Sequence, residues 1–357
     1  MPFPLFSSYK LDSLFHCNET SAVQHNLMGE TVNISKMAES LSESLFTVFG
    51  WEKRSLANHQ WDCVEPDKHH KKRGNKRHPT DAVFRYIDAY SGHSIYVNID
   101  LKAYAASTLE AYDFTADLKS LAHATECANK SAEWQQLFVV SEEACTVIGL
   151  LFIFNHDNAS NRDFSDRLST LAPSTIGLDP AYHIGVLIPS RVLYLNSVAA
   201  DIKSFTNLPQ AIRFFYSPHL NKKKAVNVYS KSASLWSLMS SIVTVGCDAH
   251  AANPRKAFNV YYDGKGSSRE EFQYVLDYLC RYAIVSETSD VNICLYKPDS
   301  AASAHFDNAK EEFSRDNWRE IEQKSREEFN KMLENVKLRI IQQVIPQYEM
   351  ISTGMDN

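Results

Sequence analysis

Asp81, Asp100 and Lys102 are residues whose types and spacing could carry out a reaction. Asp81 closes the run His78-Pro79-Thr80-Asp81, and Asp100-Leu101-Lys102 lies in the strand-like segment that comes after it. Two carboxylates brought together on neighbouring strands offer a hard divalent cation its preferred oxygen ligands, with substrate phosphate completing the shell. Side chains alternate along a strand, so Asp100 and Lys102 share a face and the ammonium stands beside the metal and the attacking water. That set suits phosphodiester hydrolysis. The cation polarises phosphoryl oxygens and stabilises the leaving oxygen, while lysine positions or helps deprotonate the water.

The pattern acid-x-Lys is common, so its context has to discriminate. It recurs at Asp117–Lys119, Asp201–Lys203, Asp263–Lys265 and Glu322–Lys324. Asp117–Lys119 and Glu322–Lys324 fall in expected helices, where residues two apart do not share a face. Asp263–Lys265 straddles a glycine turn. Asp201–Lys203, with Asp179 upstream, is the serious rival, but its residues are expected to follow a strand rather than lie in one.

The elements that would position the first set are legible from periodicity. Ile34, Met37, Leu41, Leu45 and Val48 recur at helical spacing after Ser35, and Gly50 closes the helix. Trp51–Val64, Asp81–Asp88 and His93–Tyr104 read as strands, the last alternating cleanly. One long helix is expected over 107–136, then strands over 137–140 and 146–154. Further on, 183–188 and 192–196 read as strands, and 258–262, 269–282 and 291–296 as a β-α-β unit. A long helix is expected from Asp307, with Phe329, Met332, Val336, Ile340 and Val344 on one stripe.

At these residues the sequence resembles the PD-(D/E)xK nuclease superfamily, which has the restriction-endonuclease-like fold. The matching parts are Asp81 in HPTD, Asp100 and Lys102 in IDLK, and an acidic residue on the helix ahead of the strands. Glu39, about three turns before Gly50, fits that last place better than Glu43. The resemblance, which covers about residues 31–155, implies an α/β protein with a restriction-endonuclease-like αβββαβ core; the pattern beyond it adds a second α/β region and a long C-terminal helix. The expected segments are an arm over 1–30, the nuclease-like domain over 31–155, an unassigned α/β region over 156–300, and the helix and tail over 301–357. It implies Mg2+ or Mn2+ held by Asp81, Asp100 and Glu39, with Lys102 activating water. The expected substrate is nucleic acid, double-stranded DNA first, and the expected setting is restriction or anti-phage defence. A regulatory partner or a second copy would dock on the C-terminal half. Two other readings are a non-catalytic assembly subunit and an RNA-binding sensor built on the aromatics of FNVYYDG.

Composition bounds these readings. The formal charge is −6, so nucleic-acid contact must come from a local basic patch. DKHHKKRGNKRH, over 67–78, supplies one through Lys68, Lys71, Lys72, Arg73, Lys76 and Arg77, expected on a loop with His69, His70 and His78. Among the 11 glycines no phosphate-loop or dinucleotide fingerprint can be written. The seven cysteines never form CxxC and read as reduced core residues, with Cys247 and His250 too few for zinc. No apolar run is long enough for a membrane span, and the start MPFPLFSSYK lacks a signal-peptide pattern, so the cytoplasm is the expected compartment.

Overall fold

The computed structural model describes residues 36–69, 76–140, 145–205, 212–216, 228–247, 256–316 and 323–346. The first described element is helix α1 over 36–48. It continues through β1 (Glu52–Lys53), β2 (His59–Asp62), a helical turn α2 (Pro66–His69), β3 (Arg77–Thr80), β4 (Ala82–Ile87) and β5 (Ser94–Tyr104). Helices α3 (Ala106–Ala111), α4 (Thr115–Lys130) and α5 (Ala132–Phe138) lead to β6 (Thr146–Asn155), α6 (Ser165–Thr170) and β7 (Ile184–Leu187). The remainder runs α7 (Pro189–Phe205), β8 (Ile212–Tyr216), β9 (Val228–Ser230), α8 (Leu235–Met239), β10 (Ile242–Cys247) and β11 (Lys256–Tyr262). It ends with α9 (Arg269–Arg281), β12 (Ser289–Leu295), α10 (Ala302–Asp316), α11 (Gln323–Glu334) and β13 (Val336–Ile340).

Two mixed sheets organise the molecule. The first has the order β1-β4-β5-β6-β7, with β1, β4 and β5 antiparallel and β5, β6 and β7 parallel. Its fifth strand therefore comes from beyond residue 155. One face packs on Leu41, Leu45 and Phe46 of α1 and on Val192, Leu195 and Val198 of α7. The other packs on α4 and α5 through Leu118, Leu121, Cys127 and Trp134. This is the αβββαβ core, formed by α1, β1, β4, β5, α4 and β6. A separate two-stranded ribbon pairs β2 with β3. The second sheet has the order β13-β12-β11-β10-β8-β9 and carries α9, α10 and α11 on one face. Its other face shares the α1–α7 core through Val243, Val245 and Tyr261.

Four expectations are corrected. The helix over 107–136 is three helices, because Asp113 turns its carboxylate onto the Thr115 N–H and Ser131 caps the Trp134 N–H. Residues 137 and 138 end α5 rather than start a strand. Val192–Asn196 lies inside α7, which begins at Pro189. Packed between two sheets, α7 is apolar on both sides, and its sequence mimics a buried strand. The long C-terminal helix is α10, α11 and then strand β13, which pairs in parallel with β12. The spacing from Val336 to Ile340 satisfies both a helical and a strand period. The aromatics Phe258, Tyr261 and Tyr262 are core residues.

Gly50 joins the two halves. It ends α1 at φ +77°, and a Cβ there would stand 2.2 Å from the Lys231 carbonyl oxygen. Beside it Trp51 stacks on Phe46 and Tyr86 and donates its Nε1–H to the Ala233 carbonyl at 2.7 Å. Gly50→Ala should therefore destabilise the chain by more than the about 1–3 kcal/mol of left-handed strain, since the clash adds to it. Denaturant unfolding of the variant measures this.

Candidate active site

The site forms where the first sheet comes apart. Pairing of β4 with β5 ends at Ala82 opposite Ile99, and the chain before Asp81 turns away to form β3 on the ribbon. Leu101 thereby loses the strand partner its N–H would have had. The Asp81 carboxylate takes that N–H at 2.7 Å. Upstream, Trp61 Nε1–H donates to Thr80 Oγ1 and the Thr80 hydroxyl donates to Asn98 Oδ1, each at 2.9 Å, which ties the ribbon to β5.

Along β5, Asn98, Asp100 and Lys102 project toward α4. Lys102 Nζ donates to Asp100 Oδ1 at 2.5 Å and lies 3.7 Å from Asp117 Oδ1 on the first turn of α4. The Asp117 carboxylate also accepts the Tyr112 hydroxyl at 2.5 Å. Burial pushes the Asp100 carboxyl up to about 6; Lys102 works against that rise, and Asp81 and Asp117 add to it. Burial works against the Lys102 ammonium, but Asp100, Asp117 and Asp81 outweigh it and hold that pKa above the ordinary lysine value. Three carboxylates thus surround one cation, leaving formal charge for a divalent ion to neutralise.

Asp81, Lys102 and Glu39 line one cavity of about 510 Å³, together with Asn58, Tyr104 and His156. Asp100 instead lines a small cleft on the α4 side, which Asp81 also borders. Glu39 arrives from α1, across the sheet, and is paired at 2.9 Å with Lys53, which also holds Glu43. The structure therefore brings Asp81, Asp100 and Lys102 together and sets Glu39 at the far wall. The rival pair is in helix α7, where both Asp201 oxygens are taken by Arg339 and one also accepts from Tyr261. Asp117 was missed as a site residue because its own acid-x-Lys is helical. The signal for it lies elsewhere: it heads the inward stripe Leu121, Ala124 and Ala128.

Of the basic stretch, Lys68 binds Glu126 at 2.5 Å, Arg77 pairs with Asp62 at 3.1 Å, and Lys76 is exposed. His70, Lys71, Lys72 and Arg73 lie outside the described residues, as does His250. His69 and His78 are not loop residues: one ends α2, the other is in β3, and both are buried.

Residues 28–187, which span the first sheet, match a family model described as "GAPS4 protein PD-(D/E)XK nuclease domain". This part of the chain is similar to a PD-(D/E)xK nuclease domain. The match covers less than half of the 357 residues. No curated protein matches the chain. Among the described residues no helix is long and apolar enough to cross a membrane.

The charge arrangement of the site has a direct readout. Lys102→Met removes the neutralising cation and should move the Asp100 pKa above 6, whereas Asp117→Asn should move it below. Carboxyl NMR titration of the two variants distinguishes the directions, and an Asp100 that ignores both would refute the electrostatic account.

Proposed function

We propose that the chain is a metal-dependent nuclease that hydrolyses phosphodiester bonds in DNA, as an effector in restriction or anti-phage defence. The observation that carries this reading is the meeting of Asp81, Asp100 and Lys102 where the pairing of β4 with β5 ends, with Asp81 and Lys102 on the wall of an open cavity and Asp100 in the cleft beside it. The donors are carboxylate oxygens, partly buried and in excess over the local cation, which is the chemistry that suits Mg2+ or Mn2+. When bound, such an ion polarises the phosphoryl oxygens and lowers the pKa of its water.

Asp81 and Asp100 hold the ion, and Glu39 completes its shell or orients a water in exchange for Lys53. Lys102 stays an ammonium between Asp100 and Asp117, so it orients the attacking water and offsets charge on the phosphoryl oxygens rather than taking a proton. Tyr112 keeps Asp117 turned toward that lysine. Exposed Lys76 and the basic residues that precede it lie next to Asp81 in the chain and supply phosphate contacts. The second sheet offers the surface for a regulatory partner or a second copy.

Incubation of the full chain with plasmid, linear DNA and RNA, with Mg2+ or Mn2+ and with chelator, tests this reading. Cleavage should vanish with chelator and fall at least about 100-fold in Asp100→Asn and Lys102→Ala, with circular dichroism unchanged. Below pH 6 a proton competes with the ion for Asp100, so the metal concentration for half-maximal rate should rise about tenfold per pH unit. Undiminished cleavage by both variants would move the chemistry elsewhere, and cleavage of RNA alone would correct the substrate.

A further inference from the structure

Between the β2–β3 ribbon and α4, four buried side chains converge: Cys63, His69, His78 and Cys127. They come from four places. Cys63 follows β2, His69 ends α2, His78 lies in β3, and Cys127 is on the inward face of α4. One ligand atom from each lies within 4.8 Å of all the others. The Cys63 and Cys127 sulfurs are 3.6 Å apart, and His69 Nδ1 is 3.5 Å from the first and 3.3 Å from the second.

The separations among the two sulfurs and His69 Nδ1 are close to those around a tetrahedral ion, with His78 within reach as the fourth ligand. Zinc–sulfur bonds of about 2.3 Å and zinc–nitrogen bonds of about 2.0–2.1 Å place two sulfurs about 3.8 Å apart and a sulfur and nitrogen about 3.6 Å apart. A disulfide would need sulfurs about 2.05 Å apart, which these are not.

His69 is also oriented as a ligand would be. While Nδ1 faces the sulfurs, Nε2 lies 3.4 Å from Glu126 Oε2. A ligating imidazole commonly gives its remaining N–H to a carboxylate, which fixes its tautomer and its plane. Glu126 is itself buried and clamped by Lys68 at 2.5 Å and Lys130 at 3.0 Å. Rings close the remaining sides, with His123 stacked on His69 at 4.3 Å and Trp61 5.0 Å from His78.

We propose that Cys63, His69, His78 and Cys127 bind a structural zinc ion that fastens the β2–β3 ribbon to α4. Two thiolates and two neutral imidazoles cancel the charge of the ion, and Glu126 with Glu65 balances Lys68 with Lys130. All four positions are filled by protein, so the ion has no open site for chemistry. Its role is to fix both ends of the basic stretch, at His69 and at His78, and to hold Asp81, which follows three residues later. The site is independent of the nuclease reading, because no carboxylate of the active site belongs to it.

The test uses the purified full chain, dialysed without added metal, with zinc measured by mass spectrometry and cobalt substitution followed by visible absorption. Close to one zinc per chain is expected, and cobalt should give the spectrum of a tetrahedral, thiolate-bound ion. Cys63→Ser and Cys127→Ser should lose zinc, whereas Asp81→Asn combined with Asp100→Asn should keep it. Glu126→Gln, which leaves all four ligands, should weaken zinc binding about 10–100-fold against a competing chelator. Folded wild-type protein that holds no zinc and takes up no cobalt overturns the proposal, whatever the variants do. So does a Cys63–Cys127 disulfide found in the protein purified without reductant.

Discussion

The parting of β3 from the main sheet at Asp81 is the constraint on which the site depends. A strand that leaves its partner strands a backbone N–H, and an N–H left without a partner costs about 1–3 kcal/mol when buried. Here the N–H belongs to Leu101, between the two charged residues of β5, and the carboxylate of Asp81 satisfies it. The repair of the backbone therefore places one acid beside the other. The ribbon could swing away from β5, but Thr80, Asn98 and Trp61 hold it through two buried hydrogen bonds. Backbone satisfaction and site assembly are one event.

The second half of the chain takes part through α1. Glu39 can face the cavity only if α1 keeps its angle, and that angle is set where the helix ends. Gly50 lies against the Lys231 carbonyl, Phe49 accepts from the Ala233 N–H, and Trp51 donates back to Ala233. On the opposite face, the N-terminal turn of α4 brings Asp117 to Lys102. The sheet thus receives acids from helices on both sides. Burial raises the Asp100 pKa most, and the neighbouring charges of Asp81 and Asp117 add to it, so the assembled site gives up stability locally.

The parts legible in the sequence are those written in local pattern. The alternation of β5 put Asp100 and Lys102 on one face, the α1 stripe and Gly50 gave the helix and its stop, and the parallel β11-α9-β12 unit was visible in its spacing. The rest was hidden where tertiary contacts override a local period. Helix α7 looks like a strand because two sheets bury it. Helix α11 and β13 look like one helix because a four-residue spacing serves both periods. Asp117 became a site residue only once α4 was placed against β5. Cys63, His69, His78 and Cys127 are scattered in sequence with no paired motif, so only the fold could bring them together.

The two donor sets differ in the property that sorts metals. The active-site set is all carboxylate and partly exposed, with Asp81 and Glu39 on the cavity wall; the ribbon set is nitrogen and sulfur, and buried. Hard ions such as Mg2+ favour the first, and zinc favours thiolate and imidazole. If both ions are held as proposed, burial and ligand softness prevent each from taking the other's place. They are nonetheless linked by a very short piece of chain. Between His78 and Asp81 stand only Pro79 and Thr80. Proline fixes its own φ and forces the residue before it into extended backbone, while Thr80 is pinned by Trp61 and Asn98. With so little freedom between them, a displacement at the buried cluster would be passed to the Asp81 carboxylate, so an ion bound at the proposed closed centre would set the geometry of the proposed open one.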